Sequence, residues 1–109
     1  MNIGLLSIDG HIPLSLKDDL FHSATEFFLI ENHALETTVL SYAFQQKIPV
    51  TILPFVSAFT EQSFYIAQID ALAKRCDTFV CFAHKDCAQL QWCLDYAKKI
   101  NLEITVHEP

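Results

Sequence analysis

The chain alternates between two kinds of hydrophobic pattern. Runs of strand length that are almost wholly apolar occur at residues 2–7, 26–30, 50–54, 78–83 and 102–106. Most lack in-and-out alternation, which marks strands covered on both faces, as in a parallel sheet between helices. The segments between them show helical spacing and start signals. Ser15 with Asp18 forms a capping box for a short helix at about residues 16–24. Asn32 is placed to cap a helix over about 33–46, with Leu35, Val39, Leu40, Ala43 and Phe44 as its apolar stripe. Thr60, with Glu61 in the first turn, suits a helix to about Arg75 that turns Tyr65, Ile66, Ile69, Leu72 and Ala73 inward. Asp86 with Gln89 forms another capping box, ahead of a helix to about Ile100 with Leu90, Cys93, Leu94 and Ala97 inward.

Strands alternating with helices of this length imply right-handed crossovers and a parallel sheet covered on both sides. The expected architecture is a three-layer α/β/α Rossmann-like sandwich with a five-stranded, mostly parallel sheet. A strand order of 3-2-1-4-5 is preferred for this element sequence, with 2-1-3-4-5 as the alternative. With 109 residues and 12.4 kDa, the chain is read as a single domain over residues 1–109. A hydrophobic content of 51% against 18% charged excludes a disordered segment.

Composition then removes several function classes. Gly4 and Gly10 are the only glycines, so neither the dinucleotide-binding G-x-G-x-x-G nor the P-loop motif can be written anywhere. A formal net charge of −6 argues against nucleic-acid binding, which needs clustered positive charge. The basic doublets Lys74-Arg75 and Lys98-Lys99 fall near helix ends, where cations favour the negative end of the dipole. No apolar window reaches the length of a membrane span, and the N-terminus lacks the pattern of a signal peptide. A cytoplasmic location is therefore expected. Cys76, Cys81, Cys87 and Cys93 are read as reduced thiols packed like small hydrophobes. Cys81-x-x-His84-x-x-Cys87 brings soft ligands together but lacks C-x-x-C pairs and a fourth ligand, so no metal and no cofactor are expected.

In either strand order, ligands bind outside the carboxyl ends of the strands where the winding reverses. That rule selects three loops and makes Asp9, His11, Asn32, His33, Glu36, His84, Lys85 and Asp86 the candidate ligand-binding residues. Lys85, beside a helix N-terminus, is the best phosphate candidate, and His84 is a candidate for acid–base work because histidine is the side chain that changes charge near neutral pH. Each of these residues has a plainer reading as a helix cap or a solvated turn. Ser7, Asp9 and His11 do not make a hydrolytic triad, because no G-x-S-x-G elbow holds them. Trp92 and Tyr96, four residues apart and offset from the core stripe, mark a candidate subunit interface. A homodimer is expected because so apolar a composition is high for a small monomer.

The runs Glu31-Asn32-His33-Ala34-Leu35-Glu36, Tyr42-Ala43, Ile48-Pro49-Val50, Cys76-Asp77 and Asp95-Tyr96-Ala97-Lys98-Lys99 carry a family likeness. Over about two-thirds of its length the chain resembles the SLOG superfamily, Rossmann-like domains that include SMF/DprA-type and LOG phosphoribohydrolase proteins. It departs from them where the family has glycine-rich turns, here occupied by bulkier residues near Ile30, Glu31, Ala34 and Gln89-Leu90. The acidic residue is kept in kind as Glu36. The resemblance implies a small-molecule binding or sensing domain for a nucleotide-derived ligand, with degenerate phosphate-binding turns. The alternatives are a catalytically inactive oligomeric protein whose own side chains fill the pocket, or an enzyme acting on a nucleoside N-glycosidic bond. In that last case Glu36 and Asp9 are the weak catalytic candidates.

Overall fold

The computed structural model describes residues 1–8, 19–31, 35–54 and 60–108. Along them run β1 (Asn2–Ser7), α1 (Asp19–His22), β2 (Glu26–Ile30), α2 (Glu36–Gln46), β3 (Val50–Leu53), α3 (Glu61–Ala73), β4 (Thr78–Phe82), α4 (Ala88–Lys99) and β5 (Ile104–His107). All five strands pair in parallel, in the order β3-β2-β1-β4-β5. The fold is the α/β Rossmann-like sandwich that the pattern predicts, and the strand order is the preferred one.

Alternating residues of each strand feed two cores. Ile3, Leu5, Phe27, Leu29, Val80 and Phe82 face the layer of α1 and α2. Leu6, Ile8, Phe28, Ile30, Phe79, Cys81 and Ala83 face the layer of α3 and α4. This explains why the three central strands read as unbroken hydrophobic runs, since both of their faces are covered. The outer strands β3 and β5 are only half-buried. Gly4 sits where a Cβ atom would come within 3.0 Å of Cys76 Sγ, so its lack of a side chain lets the end of α3 approach the sheet.

The first layer is closed by Phe21, on a helix of only four residues and 1% exposed. Its ring lies 6.3 Å from Phe27, 6.4 Å from Tyr42, 6.3 Å from Phe82 and 5.7 Å from His107. So short a helix has no stability of its own. Its aromatic side chain pins it to the core.

Several boundaries differ from the pattern, each for a local reason. Helix α2 begins at Glu36, not near His33, behind Leu35 as a cap that makes no side-chain hydrogen bond. The row Leu35, Val39, Ala43 is buried, whereas Leu40 is 39% and Phe44 87% exposed. Residues four apart form a ridge that lies directly on the sheet, and Leu40 and Phe44 belong to the next ridge round. In α3, Thr60 is the cap, its hydroxyl accepting from the Ser63 N–H at 3.0 Å. Ile69 and Leu72 are buried there, and so is Gln68 at 3%, whose Oε1 has no hydrogen-bond partner among the described residues.

Helix α4 begins one residue later than a capping box at Asp86 requires. Cys87 is the N-cap, without a side-chain cap bond, and its N–H donates instead to the His84 carbonyl at 3.1 Å. Gln89 then stands at the second helical position and cannot make the reciprocal bond. At the other end Asn101 takes a left-handed φ of 57°, and the Leu102 N–H donates to the Ala97 carbonyl at 2.8 Å. Leu102 is thereby spent on closing the helix, and β5 starts two residues beyond the predicted position. Strands β3 and β4 each end one residue early. The capping box at Ser15 and Asp18, and the Asn32 cap, lie outside the described residues. No helix among the described residues is long and apolar enough to cross a membrane.

Candidate functional site

The order β3-β2-β1-β4-β5 puts the reversal of winding between β1 and β4. The helix that follows β1, α1, packs on one face of the sheet and the helix that follows β4, α4, on the other, the arrangement at whose carboxyl edge open α/β sheets bind ligands. The ladder there is level. Ser7 stands opposite Phe82, the Ile8 N–H donates to the Phe82 carbonyl at 3.0 Å, and the Ala83 N–H donates to the His107 carbonyl at 3.1 Å. Ser7, at 8% exposure, is one of the few buried polar residues and lies at this edge.

Of the eight candidate ligand residues, three are brought to this edge by one turn. His84, Lys85 and Asp86 follow β4 and precede α4, and all three are exposed. The turn is closed by the Cys87 N–H on the His84 carbonyl, so it delivers these side chains immediately ahead of α4. Because α4 has no side-chain cap, its first amides have no protein oxygen from the N-cap residue to satisfy them. Glu36 stands at the head of α2, half-buried, beyond the carboxyl end of β2. Asp9, His11, Asn32 and His33 lie outside the described residues.

One feature of this edge is invisible in the helical pattern. Gln89 bridges the starts of two helices: its Oε1 accepts from the Cys87 thiol at 3.0 Å and its Nε2 donates to Glu61 Oε1 at 2.9 Å. Glu61 is the first residue of α3, so the bridge fixes the two helix starts relative to one another. The buried thiols of β4 and α4 are held neutral. Burial pushes Cys93 up to about 12, with nearby Cys87 adding to the effect, and burial raises Cys81 well above its ordinary value. The cysteines are free thiols. Among the described residues no group of three or more His, Cys, Asp or Glu side chains could hold a metal ion.

Trp92 and Tyr96 are both half-buried on α4. The Tyr96 hydroxyl donates to Asp70 on α3, a bond that joins the two helices within the chain and raises the phenol's pKa. A shallow groove of about 350 Å³ lies on the far side of α4, lined by Leu94, Ala97, Leu102 and Ile104 with Gln91 and Lys98 at its rim.

Comparison of the chain with protein-family models, curated proteins and solved structures finds no match.

Proposed function

We propose that this protein is a small-ligand-binding or sensing domain of SLOG-like type, acting at the carboxyl edge of the sheet between β1 and β4. Its ligand carries an anionic group and is nucleotide-derived. The observation that supports the reading is the coincidence of three things at one place. The winding reverses there, α4 opens without a side-chain cap, and Lys85 stands exposed two residues ahead of that cap position. An anion at this point accepts from the first amides of α4 and gains from both the helix dipole and the lysine charge. Neutral Cys81 on β4 and Cys93 on the buried side of α4 add no opposing charge. The domain works in the cytoplasm in this reading.

The test is a thermal-shift titration with nucleosides, nucleoside mono- and diphosphates, and inorganic phosphate. The phosphorylated compounds raise the melting temperature and Lys85→Ala removes most of the gain. No stabilisation by any of them at millimolar concentration refutes the proposal.

A second reading, an inactive assembly protein, is favoured by Gln89. Its side chain crosses between the starts of α4 and α3, in the region an incoming phosphate would need. This reading expects no ligand response in the same titration.

A further inference from the structure

Helix α2 presents an apolar flank that the described part of the chain does not cover. The helix rests on the sheet through Leu35, Val39 and Ala43. Tyr42 turns toward α1, its ring 6.4 Å from Phe21 and 6.0 Å from His22. Residues two apart on a helix are roughly 200° apart around its axis, so Leu40 lies on the flank away from α1, with Phe44 one turn further on. That flank looks toward β3, the outermost strand. Val50 on β3 packs with the same core cluster as α2, and Ile52 shares its face by strand alternation. Phe44 at 87%, Leu40 at 39% and Ile52 at 39% exposure are three of the five large hydrophobics exposed among the described residues.

Charge decides what covers this flank. From Thr37 to Thr60 the only charged residue is Lys47, in a chain of net charge −6. Two copies meeting through this flank therefore add no acidic repulsion to the contact. Its charges lie at its ends: Glu36 in the first turn of α2 and Lys47 at the C-cap, eleven residues or about three turns apart. The pair Glu36 and Lys47 and the pair Leu40 and Phe44 are both centred at residues 41–42. A single two-fold axis at that point therefore satisfies both pairs.

We propose that this flank of α2 is a homodimer interface, with the helices of two copies packed antiparallel. Leu40 packs against the partner's Phe44, and Glu36 meets the partner's Lys47, each contact occurring twice as a self-complementary interface requires. The antiparallel arrangement also sets the positive end of each helix beside the negative end of the other. Ile52 at the sheet edge extends the apolar patch. The inference does not depend on the ligand proposed above.

The test is the solution mass of the full chain by sedimentation equilibrium across the micromolar range. The wild-type protein tends toward twice 12.4 kDa. Phe44→Glu returns the monomer mass with an unchanged circular-dichroism spectrum, because that side chain takes no part in the core. Glu36→Lys and Lys47→Glu each weaken the dimer by roughly tenfold, since each substitution acts twice across the axis. The double variant E36K/K47E recovers most of the loss. A wild-type monomer at every concentration overturns the proposal, as does a dimer indifferent to Phe44→Glu. A double reversal that dimerises no better than either single one overturns the pairing of the helices.

Discussion

Phe21→Ala removes the side chain that holds α1 on the first core layer. The ring is 1% exposed and contacts four other rings drawn from β2, α2, β4 and β5. Replacing a buried phenylalanine by alanine ordinarily costs about 3–5 kcal/mol, combining lost transfer energy with the cavity left behind. A four-residue helix has no internal reserve to collapse neatly into that cavity, so the upper half of the range applies. Against a total stability of roughly 5–15 kcal/mol for a domain of this size, the variant retains a small fraction of its margin. The assay is urea denaturation followed by circular dichroism, with Phe21→Leu, which leaves a smaller cavity, as the control that loses less. The alanine variant lowers the midpoint with an unchanged slope. A loss below about 1 kcal/mol would mean that α1 does not close the core, and the reasoning would be wrong.

Thr60→Ala deletes the hydroxyl that accepts from the Ser63 amide at the start of α3, and a loss of about 1 kcal/mol is expected in the same denaturation assay. Cys76 and Cys93 are both raised from near 9.0 to about 12 by burial. The folded state thus holds protons that the unfolded chain releases, so the stability they favour is complete below pH 9.0 and is lost as pH rises toward 12. Denaturation midpoints measured from pH 8 upward should fall, and Cys93→Ala should flatten part of that fall; a flat profile for the wild-type protein contradicts the burial argument.

Much of the fold is legible in the sequence because its signals are local and redundant. The runs at β1 and β2 are apolar on both faces, and Thr60 can act as a cap without help from the rest of the chain. Where reading fails, a tertiary choice intervenes. Leu40 and Phe44 satisfy helical periodicity as well as Val39 does, and only the ridge that meets the sheet distinguishes them. Asp86 and Gln89 have capping-box spacing, yet the turn at His84 takes the Cys87 amide and moves the helix start. Asn101 in a left-handed conformation lets Leu102 close α4, which no strand pattern reveals. Gln68 looks like a polar outward position and is buried. At the candidate site, topology alone places His84, Lys85 and Asp86 at one edge. The Gln89 bridge escapes notice because it joins helix starts 28 positions apart.

The most direct test of a site between β1 and β4 is amide chemical-shift mapping by NMR during titration with a nucleoside monophosphate. Saturable shifts centred on Ser7, Ile8 and residues 84–89 are expected. Shifts confined to the groove beside β5, or none at all, would contradict that placement.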